Sequence, residues 1–242
     1  GGNYVGPMIT PKNDKLLHAI SHLEEGEWWL VAPEFADEKK YMLKPCVKWG
    51  VKPGSFSFVN ELFAPMLSVV CADNFEHAIA LANSSEYGLT AGLQTLDESE
   101  RALWRDKIEA GNLYINRGIT GAIVSRQPFG GMKRSAFGGG IKAGGPNYVS
   151  SFVEITNSDY HKKATIPSPD AMFKTWSGML RDDERRKFEF AVHSYIQNMK
   201  TEFSVERDIH NLYGEQNIFR YRPLKNMLYR VYPTDKLLDV LM

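Results

Sequence analysis

The stretch MLSVVCADNFEHAIALANSSEYGLTAGLQTLDESERALWRDKIEAGNLYIN, residues 66–116, decides the fold. Met66–Ala72 is an apolar run of strand length. Asp73 or Asn74 supplies the N-cap for a following helix that carries Phe75, Ala78, Ile79 and Ala82. Leu89–Thr95 returns as a strand. Asp97, with Glu100 three residues later, forms a capping box; the next helix runs through Leu103, Trp104 and Ile108, and Gly111 closes it as a C′ glycine. Leu113–Asn116 is the third strand. Strands joined by helices at this spacing predict an α/β fold of layers on a parallel sheet, because a parallel pair needs a long crossover.

Upstream, Leu16, Leu17, Ile20 and Leu23 share one face of a helix over residues 14–24, and Trp28–Val31 reads as a strand. Val47–Gly54 and Pro65 mark a loop-rich stretch around Glu61. Downstream, nine of the twenty glycines fall between Gly118 and Gly145. No acidic residue lies between Glu109 and Glu154, whereas Arg117, Arg126, Lys133, Arg134 and Lys142 are all basic. A loop of this kind suits an anionic ligand. Val149–Ile155 alternates like a strand, and Asn157–Asp170 reads as a linker. Asp182–Phe203 is a long helix with Phe188, Ala191, Tyr195, Met199 and Phe203 at helical spacing. Two short strands, Ile218–Tyr221 and Met227–Val231, follow, and Thr234–Met242 opens an amphipathic helix.

The whole chain has 242 residues, 43% of them hydrophobic, with 29 basic side chains against 29 acidic ones. That length buries a sizeable core, in one large domain or two smaller ones. Zero net charge removes the global attraction that a nonspecific nucleic-acid binder needs, so no nucleic-acid partner is expected. No apolar run approaches the roughly 20 residues that span a bilayer. Two cysteines cannot form a disulfide framework, which fits a reducing, cytoplasmic setting. Both ends of the chain read as cut, so a piece of a longer polypeptide is expected.

Short patterns carry little. Gly138-x-Gly140-x-x-Ala143 fits a relaxed dinucleotide fingerprint, but no strand precedes it and no helix follows. His18 and His22 lie four apart on a helix without an intervening glutamate, which favours a solvated or core-edge pair over a metal site. No metal ligand set is expected. Cys46 and Cys71 lack an adjacent basic partner in sequence and read as small hydrophobes.

Longer wording is more specific. Glu61-Leu62-Phe63-Ala64-Pro65, Tyr87-Gly88-Leu89-Thr90-Ala91-Gly92, Glu109-Ala110-Gly111-Asn112-Leu113-Tyr114-Ile115-Asn116 and Gln127-Pro128-Phe129-Gly130-Gly131 resemble, in order, the C-terminal half of the NAD-dependent aldehyde dehydrogenase superfamily. Within it, Asn116–Val124 and Ser135–Tyr148 resemble the pyrroline-5-carboxylate dehydrogenase half of bifunctional proline utilisation proteins. The resemblance is close over residues 1 to about 155.

It implies an oxidoreductase that converts the small-molecule substrate glutamate semialdehyde to glutamate in proline catabolism, with NAD as cofactor. A cysteine thiolate attacks the aldehyde, hydride leaves to the nicotinamide, and a glutamate-activated water hydrolyses the thioester. The resemblance assigns Glu61 to the nicotinamide ribose hydroxyls and Phe63 to packing beside that ribose. Gly121 and Ala122 match the loop whose N–H groups hold the substrate's far carboxylate, and Phe129 matches the apolar wall of the aldehyde tunnel. The nucleophilic cysteine and the general-base glutamate are expected upstream of Gly1, so this chain alone is expected to be inactive. Ala64 stands where the family usually has glycine, beside Phe63.

Residues 1–155 then form the C-terminal part of the catalytic domain, and 156–242 an extension. Gly214-Glu215-Gln216-Asn217 with Arg220-Tyr221-Arg222-Pro223 resembles the start of the noncatalytic, aldehyde-dehydrogenase-like extension of long proline utilisation proteins; an ordinary helical tail is the alternative. The resemblance also implies a fused proline dehydrogenase domain with FAD, and a homo-oligomer for the complete protein. A noncatalytic support module with the same fold is the second reading of the chain.

Overall fold

Asn74 opens the helix the sequence calls for: its side chain accepts a hydrogen bond from the His77 N–H at 2.8 Å. The computed structural model describes residues 5–11, 13–120, 123, 126–137, 141–154, 156, 170–224 and 226–241. It divides the chain into two compact units, Gly1–Gly121 with Phe129–Ala143, and Ala122–Pro128 with Gly144–Met242.

In the first unit, α1 (Asp14–Ser21) is followed by β1 (Trp28–Val31), β2 (Cys46–Trp49), α2 (Phe56–Val59) and β3 (Met66–Val69). β2 lies at the centre of a three-stranded sheet, antiparallel to β1 and parallel to β3. Sequence reading expected loop there from residue 47, because Lys48 interrupts the apolar pattern and Gly50 and Pro53 follow. The strand forms because Cys46 and Lys48 both turn inward. The Lys48 ammonium is buried against the Glu27 carboxylate at 3.2 Å, donates to the His22 carbonyl at 2.9 Å and to Ser57 Oγ at 3.0 Å, and lies 5.1 Å from the centre of the Trp29 ring. A buried charge survives when paired and hydrogen-bonded in this way.

The α/β reading of residues 66–116 holds, but among the described residues its three strands do not share one sheet: β3 pairs with β2, and not with the strands that follow the next helix. α3 (Phe75–Asn83) precedes β4 (Tyr87–Gly88) and β5 (Thr90–Leu93); α4 (Glu98–Lys107) crosses over to β6 (Asn112–Ile115), which pairs with β5 in parallel. Ile79, Trp104 and Ile108 form the buried core between helices and sheet. Asp97 caps α4: it accepts from the Ser99 hydroxyl at 2.6 Å and from the N–H groups of Ser99 and Glu100, which together hold its carboxyl below the usual range. The capping box is only half made, since the Asp97 N–H donates to Thr95 Oγ1 and Glu100 accepts from that same threonine hydroxyl.

Gly111 has another role than the C′ glycine expected of it. α4 ends at Lys107 with Ile108 as its cap, whereas Gly111 lets two chain segments touch: a Cβ there would stand 1.9 Å from the Gly130 carbonyl oxygen. β7 (Met132–Lys133) then pairs antiparallel with β4.

In the second unit, α5 (Ala171–Met179) and α6 (Asp182–Asn198) pack through Leu180, Phe188 and Val192, with Leu238 of α7 (Leu237–Leu241) completing that core. The long helix continues as a π-helical turn over Met199–Phe203. Its outer residues Tyr195, Met199 and Phe203 are exposed rather than packed in the core. β8 (Arg207–Asp208) pairs with β9 (Ile218–Phe219). Two expected strands are absent. Val149–Phe152 is a 3₁₀ turn, with the Ser150 N–H donating to the Asn147 carbonyl and the Tyr148 and Phe152 rings 5.5 Å apart. Met227–Val231 is irregular, and Met227 and Leu228 stand in solvent. β propensity needs a partner strand to act on, and neither segment has one among the described residues. The expected linker lies, apart from Asp170, outside the described residues.

Candidate active site

The Glu61-Leu62-Phe63 segment is held by its middle residue. Leu62 is buried in a core with Leu16, Ala19, Leu43 and Cys46, and its carbonyl accepts from Asn13 Nδ2 at 2.7 Å. With Leu62 anchored inward, the residues on either side of it face solvent. Glu61 is exposed, and Phe63 is 76% exposed. Among the described residues the Glu61 carboxylate has no protein partner. Phe63 adopts φ +49°, a left-handed conformation that a bulky side chain rarely takes. The backbone demand therefore falls on Phe63 itself, and Ala64, with no positive φ, is accommodated. Strain of this kind, on the order of 1–3 kcal/mol, persists where the surroundings over-determine it.

A solvent-facing carboxylate can accept from vicinal hydroxyls and an exposed aromatic ring can cover an apolar face; Glu61 and Phe63, with Leu62 between them, present both groups to solvent. Phe129, the third residue assigned from sequence, is half-buried and paired by its backbone with Ala143 in both directions, each at 3.0 Å. Gly121 and Ala122 lie outside the described residues.

The basic residues read as an anion-binding set are largely committed to protein partners. Lys133 Nζ is 3.1 Å from the Glu109 carboxylate and donates to the carbonyls of Asn83 and Ser85. Arg134 pairs with Glu86, and Arg126 with Glu215 at 3.0 Å. Arg117 lies 5.6 Å from the centre of the Tyr114 ring. Lys142 donates to the Gly111 carbonyl at 2.7 Å and to that of Gly130 at 2.6 Å, and burial pushes its ammonium down to about 8.

Cys46 is buried, its thiol directed at the Pro65 carbonyl, and burial pushes it up, with Lys48 opposing. Cys71 is exposed. Among the described residues no three His, Cys, Asp or Glu side chains are grouped to hold a metal, and no helix is long and apolar enough to cross a membrane.

The aldehyde dehydrogenase family model matches residues 2–157, which is more than half of the chain. The chain belongs to the aldehyde dehydrogenase family. Among family members, the 1-pyrroline-5-carboxylate dehydrogenase of Bacillus subtilis is 37% identical over 147 residues, 60% of this chain and 28% of its own length. Among solved structures, proline utilization A from Corynebacterium freiburgense superposes with a TM-score of 0.80 at 41% identity, over 92% of this chain and 22% of that one. A Thermus 1-pyrroline-5-carboxylate dehydrogenase with bound NAD gives 0.56 at 33% identity, over 62% and 29%. The chain thus spans less than a third of the length of these relatives. A match over 92% of the chain extends well past residue 157, so the second unit has counterparts in the proline utilization A structure.

Sequence reading missed Asn13 and Lys48, and set Lys142 among ligand-seeking basic residues rather than on the backbone carbonyls it binds. Asn13 was legible as a helix cap directly before Asp14. The partners of the two lysines lie 9–31 residues away, beyond any local pattern.

Proposed function

We propose that this chain is the C-terminal part of an NAD-dependent dehydrogenase that oxidises glutamate semialdehyde to glutamate, joined in the complete protein to a proline dehydrogenase domain that carries FAD. The observation that supports this best is the Glu61–Phe63 pair, exposed on either side of an anchored Leu62, in a chain similar to 1-pyrroline-5-carboxylate dehydrogenases. When bound, NAD supplies the hydride acceptor. Glu61 accepts hydrogen bonds from the nicotinamide ribose hydroxyls, and Phe63 packs beside that ribose. The N–H groups of Gly121 and Ala122 hold the substrate's remote carboxylate, and Phe129 walls the aldehyde's path. The nucleophilic thiolate belongs to neither Cys46 nor Cys71, so the 242-residue chain alone forms no product. Residues 1–155 belong to the catalytic domain, and 156–242 begin a noncatalytic extension.

The test is NADH formation by the complete protein. It should convert glutamate semialdehyde with NAD, and Glu61→Gln should slow turnover more than it weakens aldehyde binding, because a charged acceptor is roughly twice as strong as a neutral one. No NADH from the complete protein overturns the reading. Unchanged kinetics in Glu61→Gln removes Glu61 from the site.

A further inference from the structure

Two carbonyl oxygens, those of Gly111 and Gly130, converge on one ammonium, Lys142 Nζ, at 2.7 and 2.6 Å. Both belong to segments in direct contact, since a Cβ at Gly111 would meet not only the Gly130 oxygen but also Gly131 Cα at 2.7 Å. Converging carbonyl dipoles repel one another, and a cation between them turns that repulsion into two charge-assisted hydrogen bonds. Lys133 binds two carbonyls as well but has the Glu109 carboxylate beside it. Lys142 has no carboxylate partner among the described residues, so its charge is directed wholly at the backbone.

The clamp lies next to Phe129. On the Lys142 side, Ala143 accepts from the Phe129 N–H and donates to its carbonyl. On the far side, the Gly130 N–H donates to Asn112 Oδ1 at 3.1 Å, and the Gly111 N–H donates to the Gly88 carbonyl at 2.9 Å. Phe129–Gly130 is therefore tied to the start of β6 and to residues 142–143, and the Lys142 side chain joins all three.

We propose that Lys142 is a positioning residue: by bridging Gly111 and Gly130 it fixes the backbone that carries Phe129, and so sets the wall against which the aldehyde is held. This rests on the reading of Phe129 as part of the aldehyde's path. A lysine that only satisfied two carbonyls would contribute to stability alone, and the two roles separate in kinetics.

The experiment uses the complete protein with Lys142→Met, which keeps the length and removes the donors, and Lys142→Arg, which keeps charge and donors. Amide hydrogen exchange, followed by mass spectrometry over residues 127–131, reads the clamp without any substrate. Steady-state kinetics read its consequence. In Lys142→Met, exchange at Phe129 and Gly130 should quicken, and the KM for glutamate semialdehyde should rise about tenfold or more while the KM for NAD stays within about twofold. Lys142→Arg should restore most of both. Faster exchange with an unchanged aldehyde KM, or equal losses toward aldehyde and NAD, overturns the proposal. If Lys142→Met does not fold, Lys142→Gln, which removes the charge and shortens the reach while keeping a neutral NH2 donor, carries the same comparison. A wild-type protein inactive on glutamate semialdehyde refutes the functional reading instead, and the exchange data still report on the clamp.

Discussion

Asn13 joins the first helix to the Glu61–Phe63 segment: its Oδ1 accepts from the Leu16 N–H at 3.1 Å, capping α1, while its Nδ2 donates to the Leu62 carbonyl at 2.7 Å. One planar amide thus performs two tasks that different substitutions separate. Asn13→Asp keeps the cap and loses the donor. Asn13→Ala loses both, and an N-cap is worth about 1 kcal/mol. The aspartate variant should therefore unfold close to wild type yet raise the KM for NAD in the complete enzyme, while the alanine variant suffers both losses. Thermal unfolding and NAD titration of the two variants check this, and an unchanged KM for NAD in both would detach Asn13 from the site.

The Lys48–Glu27 pair is the costliest feature of the central sheet. Glu27 Oε2 accepts from the Glu24 N–H at 2.9 Å, but Oε1 has no hydrogen-bond partner among the described residues. Lys48→Met strands the carboxylate in the core and should destabilise by about 3–5 kcal/mol; adding Glu27→Leu should recover much of that, because desolvating two charges largely offsets their attraction. Denaturant unfolding of the two single variants and the double variant measures it. A double variant as unstable as the sum of the singles would contradict this account.

Lys142 gives a pH signature. Burial pushes it from 10.5 to about 8, against the pull of two carbonyl acceptors. Below about 8 it is charged in both folded and unfolded chains, and the burial cost is fully present. Between about 8 and 10.5 the unfolded chain holds more protons, so stability rises with pH. The margin of wild type over Lys142→Met in thermal unfolding should thus widen from pH 7 toward pH 10. A margin that is flat or narrows means that Lys142 keeps its proton throughout.

What the sequence made legible is local. Asn74, Asp97 and the apolar spacing of residues 75–108 identify α3, β5, α4 and β6, because caps and periodicity act within a few residues. β2 escaped because Lys48 breaks the apolar alternation, and its compensation comes from Glu27, His22 and Ser57, which no strand pattern contains. The basic loop was read as ligand-seeking because Glu109, Glu86 and Glu215, which engage Lys133, Arg134 and Arg126, are far away in sequence or just outside the acid-free stretch. Family wording singled out Glu61 and Phe63, and their exposure is consistent with that; the left-handed backbone at Phe63 was not legible, since nothing local demands it.

Selection of glutamate semialdehyde by its carboxylate, as proposed above, is tested most directly by a ratio. In the complete enzyme, kcat/KM for glutamate semialdehyde is compared with that for an aldehyde of equal length lacking the carboxylate, in wild type and in Gly121→Val. If the Gly121 N–H holds the carboxylate as proposed, a β-branched side chain there fills the carboxylate's place and restricts the backbone. Wild type should prefer glutamate semialdehyde by about 30- to 1000-fold, equivalent to about 2–4 kcal/mol from a pair of charge-assisted hydrogen bonds, and Gly121→Val should erase most of that preference. Equal losses on both aldehydes, or no preference in wild type, would contradict it.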